Sequence, residues 1–157
     1  MKKLLFLILF FPAISDAQLY VHAGASPLKG TLGMEYQINR FSVVAGVGPE
    51  RLYDTGWFWS YSGALTTYFK INPAIMYLSF GAASKGVVEQ NAVGCWTTPV
   101  PAVYVMIGTR FYPNMYAPMM TDRLSFDFGI GASMTEHSTV PDVVIDFEVN
   151  FSLAKYK

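Results

Sequence analysis

The densest chemical stretch of the chain is TEHSTVPD, residues 135 to 142. A serine hydroxyl, an imidazole and two carboxylates in one short segment are the ingredients of acyl transfer. The serine attacks, the histidine takes its proton and an acid orients the ring. Geometry argues against this use of Glu136, His137, Ser138 and Asp142. Adjacent residues of an extended chain point to opposite faces, so His137 and Ser138 would meet only through a bend. Ordinary polar loop residues are the better reading.

A second set is dispersed along the sequence. Glu35, Asp127, Asp146 and Glu148 recur on the polar side of alternating segments, as do Lys85, Arg110 and Arg123, with His22 at an equivalent position. A buried carboxylate is costly unless it is paired and hydrogen-bonded. These seven charges are therefore expected to form one network that fills an interior. An ion-conducting interior is the alternative, less favoured because a narrow barrel is filled by its own side chains.

Other chemistry finds little support. Cys95 is the single cysteine, so no internal disulfide forms, and two histidines with one cysteine give no zinc spacing. GVGPE (46–50) is followed by another loop and strand, not by the helix that a phosphate loop needs. No cofactor is expected. The net charge is zero, so bulk electrostatics draws the chain to neither nucleic acid nor an acidic partner.

The elements that must carry these charges are strands. Alternation and turn chemistry give eight, at 18–25, 31–39, 41–49, 57–69, 74–86, 101–112, 123–136 and 143–154. Between them lie turn-rich segments such as Asn39-Arg40, a long stretch over 87–100 and a methionine-rich one over 113–122, with proline and glycine between strands or at their ends. The last strand shows the pattern most clearly. Val143, Ile145, Phe147, Val149, Phe151 and Leu153 fall on one side; Val144, Asp146, Glu148, Asn150 and Ser152 fall on the other.

Comparing the two faces decides which one is outside. The apolar face collects bulky residues, including Trp57, Trp59, Tyr61, Phe69, Phe111, Phe126, Phe128, Phe147 and Phe151. The other face is mostly Gly, Ser and Ala with a few charges of both signs. A soluble barrel would place Lys, Glu, Thr and Arg in quantity on its outer wall, yet charged residues are only 14% of this chain and aromatics 16%. Small residues suit the inside of a narrow eight-stranded wall. The bulky face is then outside, which is stable only in lipid, and aromatics near strand ends suit the interfacial girdles. Closing an even number of antiparallel strands removes the edges that lipid could not satisfy.

The first 17 residues read as a secretory signal peptide: a basic MKK start, the apolar run from Leu4 to Ile14 and small residues at a cut after Ala17. That run is too short for a bilayer-spanning helix, which needs about 20 residues. Residues 1–17 are thus the leader and 18–157 one domain.

Signal peptide, eight alternating strands and a small polar interior together make the chain resemble the small eight-stranded outer-membrane barrels of Gram-negative bacteria, the OmpX/OmpA-transmembrane-domain type. The resemblance covers the whole mature chain and is one of architecture. FEVNFSLAKYK (147–157) partly fits the C-terminal assembly signal of such barrels through Phe147, Val149, Phe151 and Leu153, and departs at Tyr156 and Lys157. It implies an all-β up-and-down transmembrane barrel in the outer membrane. Its partners would be outer-membrane lipid and, during insertion, the barrel-assembly machinery, with the protein a monomer. The role implied is structural or surface-interacting, without a wide pore and without enzymatic activity. Two alternatives stand beside it. One is a lipid A deacylase or acyltransferase, although the deacylase pattern separates His and Ser by one residue and this chain does not. The other is a secreted, lipocalin-like ligand-binding barrel.

Overall fold

A computed structural model of the chain describes residues 17–26, 30–52, 56–71, 74–91, 94–117, 119–136 and 138–155. Its eight strands are β1 (Ala17–Ser26), β2 (Gly30–Ile38), β3 (Phe41–Leu52), β4 (Gly56–Ile71), β5 (Ala74–Asn91), β6 (Gly94–Phe111), β7 (Leu124–Thr135) and β8 (Asp142–Lys155). Each pairs antiparallel with its neighbours in sequence, and β1 pairs with β8, so the sheet is a closed up-and-down barrel. Closure runs from Gln18 opposite Lys155 to Gly24 opposite Glu148. A single 3-10 turn at Pro113–Met115 is the one helical element among the described residues.

The barrel has a short-turn end and a long-loop end. At the short-turn end β2 meets β3 through Asn39 and Arg40, with Asn39 at a φ of 55°. Two-residue hairpins favour such left-handed positions, and asparagine tolerates them better than other non-glycine residues. Both described chain ends lie at this end too.

Alternation sorts the wall as the sequence analysis expects. Ser42, Val44, Ser60, Ala64, Thr66, Ser79, Ala83, Ser125 and Ser133 are buried, whereas Leu32, Val43, Leu65, Phe80, Val103, Ile107, Ile130 and Ile145 are exposed. The inward face is small because bulk comes from a few large residues. Tyr77, Tyr104 and Met106 are almost wholly buried. Tyr77 lies over Gly108 and Gly129, and Tyr104 over Gly81, so closely that a β-carbon at any of these glycines would strike the ring. Glycine opposite tyrosine is how a narrow wall admits an aromatic filler.

Two expectations need correction. Residues 87–91 and 94–100 form paired strand where a loop is expected: β5 and β6 continue from Ser84 opposite Pro101 to Asn91 opposite Gly94. The β-branched content of GVVEQN and CWTTPV supports this extension. Proline is also not confined to strand ends, since Pro99 and Pro101 lie within β6. They fit there because β7 pairs with β6 only from Ala102 onward, leaving an edge of β6 with no ladder to break.

Candidate functional site

The lumen near the short-turn end is organised around Arg110. On β6 it stands directly opposite Asp127 of β7 and grips both oxygens of that carboxylate, Nε to Oδ1 at 2.8 Å and Nη2 to Oδ2 at 2.7 Å. Nη2 also donates to Oε2 of Glu35 at 2.6 Å. Glu35 comes from β2, diametrically opposite β6 in a barrel of eight consecutive strands. Its other oxygen, Oε1, accepts the Tyr68 hydroxyl of β4 at 2.6 Å. Nη1 reaches Oε1 of Gln37 at 3.4 Å, and the guanidinium lies 4.6 Å from the Tyr68 ring centroid and 5.1 Å from that of Tyr20.

One side chain therefore ties its own strand to four others across the lumen. All three charges are at most 3% exposed. Bidentate, charge-assisted hydrogen bonds are the geometry that makes burial of an ion pair tolerable. The tyrosine faces add cation–π attraction. Below this brace, towards the short turns, the Tyr20 hydroxyl donates to Gln18 and lies 3.5 Å from that of Tyr112.

The remaining predicted network residues distribute unevenly. Asp146 and Glu148 are buried on the inward face of β8, where Glu148 pairs across to Asp127 and Asp146 to Gly129. Like charges opposite one another repel; the grip of Arg110 on Asp127 offsets part of that cost. Lys85 does not join this cluster. It sits at the long-loop end and bridges the lumen mouth to Asp142, the first residue of β8. Arg123 is misplaced by the sequence reading: it is exposed, in the turn just before β7 starts at Leu124. It keeps the inward parity, but the wall has already ended there. Sequence reasoning missed Tyr68 and Met106, although both fall on the inward parity of strands whose other inward residues it read.

The outward aromatics line the wall. Trp59 and Tyr61 are exposed towards the long-loop end of β4, and Phe69 near its short-turn end. Phe111 stacks on Tyr116 of the following turn at 5.2 Å, so the methionine-rich segment folds onto the outer wall. Phe147 packs against Phe128 at 5.0 Å and Phe126 at 6.4 Å, and Phe151 lies exposed beyond them. The side chains of Trp57 and Cys95 lie outside the described residues.

Of the acyl-transfer set, only part falls among the described residues. The Ser138 hydroxyl lies 2.8 Å from that of Thr135, Asp142 is engaged with Lys85, and His137 is outside the described residues.

Two solved structures share this architecture. The N-terminal β-barrel domain of Pseudomonas aeruginosa OprF superposes with a TM-score of 0.58 at 10% identity, covering 88% of this chain and 98% of that one. Neisserial surface protein A gives 0.52 at 13% identity, covering 87% and 94%. No family model and no curated protein matches the sequence. The fold is that of small eight-stranded outer-membrane barrels.

Proposed function

We propose that the chain is an integral outer-membrane β-barrel, exported by a leader cleaved after Ala17, whose filled lumen forms no wide pore and whose role is structural or surface-interacting. The observation that carries this reading is the inversion of the wall. Charged and polar residues are buried, while large apolar residues such as Leu65, Phe80, Ile130 and Ile145 are more than half exposed all round the barrel. Water tolerates no apolar patch of that extent on a monomer. Lipid requires it, together with a closed ladder. The lipocalin-like alternative needs the opposite arrangement, with the apolar face inside.

Arg110, Tyr77, Tyr104 and Met106 occupy the space a conducting channel would need. A surface role is supported by the β5–β6 hairpin. From Ser84 to Asn91 the ladder pairs β5 with β6 over roughly 24 Å at about 3.4 Å per residue, with the Ser84 hydroxyl accepting the Tyr61 N–H and Lys85 bridging to Asp142 at its base. Insertion proceeds through the barrel-assembly machinery with β8 as the closing strand, and the barrel stands as a monomer in outer-membrane lipid. Glu136, Ser138 and Asp142 serve as rim and loop residues, without enzymatic activity.

Fractionation tests the reading. The expected result is a protein in the outer-membrane fraction that resists urea washing and migrates differently on gels with and without boiling. In planar bilayers it gives no large, stable conductance steps. Recovery from the soluble periplasm would overturn the membrane assignment; porin-sized conductance would overturn the filled lumen.

A further inference from the structure

The connection between β6 and β7 departs from the others in composition. From Phe111 to Thr121 the chain reads FYPNMYAPMMT, with no charged residue in it, whereas the β2–β3 turn carries Arg40 and the β7–β8 connection holds Glu136 and His137. Its apolar side chains are not stowed. Met119 is fully exposed, and Met115, Tyr116 and Met120 are 54%, 66% and 47% exposed. An apolar surface of this kind marks a contact.

The backbone beneath it is folded. The Tyr112 carbonyl accepts the N–H of Met115 at 3.1 Å, the Pro113 carbonyl those of Tyr116 and Ala117 at 3.0 and 2.9 Å, and the Ala117 carbonyl that of Met120 at 2.9 Å. Pro113 brings no N–H. Where the chain reaches β7, the Arg123 carbonyl accepts the N–H of Ser152 at 2.8 Å, which fastens the turn to β8. A segment that enters a lipid interface needs its backbone groups satisfied within the protein, and these turns supply such bonds.

Two side chains show which way the turn leans. Met115 lies with Gln18, Tyr20 and Tyr112 around an opening of about 270 Å³ at the lumen mouth. Tyr116 turns the other way and stacks on Phe111, with ring centroids 5.2 Å apart and planes 20° apart. Phe111 faces outward, since its neighbour Arg110 faces the lumen, and it pairs with Phe126, itself stacked on Phe147. The turn thus continues the aromatic band of the outer wall past the end of β6, at the level where interfacial rings belong.

We infer that this turn is an interfacial foot. Tyr116, Met119 and Met120 lie among the lipids of the leaflet at the short-turn end, while Met115 stays at the aqueous lumen mouth. Lipid is the occupant because the patch is continuous with the lipid-facing wall through Phe111 and carries no charge that lipid would have to accommodate. The flexible thioethers suit a surface whose partner has no fixed shape. The inference rests on the membrane reading above. It adds a seat: side chains beyond the wall hold the β6–β7 side of the barrel at a set depth.

The test is oxidation of the folded barrel, held singly in nanodiscs of phosphatidylethanolamine and phosphatidylglycerol, by chloramine-T, an anionic oxidant confined to water. Methionine sulfoxide is located by mass spectrometry. Exposure alone would make Met119 the fastest to react. In the disc the order should reverse, with Met115 oxidised first and Met119 and Met120 protected. Met34 and Met134, 50% and 43% exposed on the outer wall, should be protected with them. Tyr116→Ser, which removes the stack on Phe111, should speed oxidation of Met119 while heat-modifiable migration persists; an unchanged rate would overturn the stack as what seats the turn. Met119 reacting before Met115 in the disc would overturn the foot. So would protection of Met119 found only in discs that hold two barrels, which would assign the patch to a second copy. The wall methionines separate the two readings. Rapid oxidation of Met34 and Met134 together with Met119 overturns both, while their protection beside a reactive Met119 overturns only the foot.

Discussion

Arg110 is the residue on which the interior depends most. Its guanidinium satisfies two carboxylates from opposite sides of the lumen and stacks between two tyrosines. Removing one partner of a buried ion pair leaves the others uncompensated, which costs about 3–5 kcal/mol. Arg110→Met, close in length and without charge, is therefore expected to lower the barrel's unfolding free energy by that amount, read from urea titration of the heat-modifiable form in bilayers. Adding Glu35→Gln and Asp127→Asn should recover most of the loss, because a neutral lumen has no charge left unpaired. A triple variant no more stable than the single one would show that Arg110 acts by shape and not by charge. Partner identity was only half legible at this scale. Arg110 and Asp127 are visible as inward charges in sequence, but nothing in the sequence separates Arg110, one residue inside the end of the ladder with β7, from Arg123, one residue before β7 begins. A single position decides between a buried brace and a solvated rim.

At the scale of the strand, alternation carries both the fold and the environment. Ile107, Ile130 and Ile145 stand side by side across β6, β7 and β8 on the outer face, each more than half exposed. Water on that face would make them ordinary liabilities; hydrocarbon makes them necessary. Arginine at the middle of a lipid-facing strand costs about 2–4 kcal/mol and nearly nothing near an interface. Ile130→Arg is thus expected to destabilise the barrel by that amount, while the same change at exposed Thr121 of the β6–β7 turn leaves it unchanged. Equal effects at both positions in bilayer unfolding would count against a lipid-facing β7. Strand ends were less legible than strand centres. The segment 87–100 has turn-like Gly, Asn and Pro among its β-formers, so composition divides it between loop and strand; the pairing of Val87 with Thr98 and its successors, a long-range contact, settles it as a hairpin.

For the whole molecule, closure is the decisive property, and it resides in the ladders of the wall alone. The hairpin beyond Ser84 and Pro101 contributes nothing to it, whereas β8 completes it by pairing with both β7 and β1. Replacing residues 87–98 with a short turn should leave heat-modifiable migration and urea resistance intact, and deleting 142–155 should abolish both. A hairpin-less chain that fails to fold would place part of the barrel's stability in the projection. Period-two alternation, small residues on one face and bulky ones on the other, and scarcity of charge were enough by themselves to set eight strands and an inverted wall, on which the proposed lipid environment rests. These are local properties, repeated in every strand, and each repetition reinforces the rest. Which charges meet and where the wall ends were decided only by tertiary structure. They depend on stagger between strands distant in sequence: β2 against β6 for Glu35 and Arg110, β5 against β8 for Lys85 and Asp142. Alternation states which way a side chain faces, and only the register of the closed sheet states how high it stands.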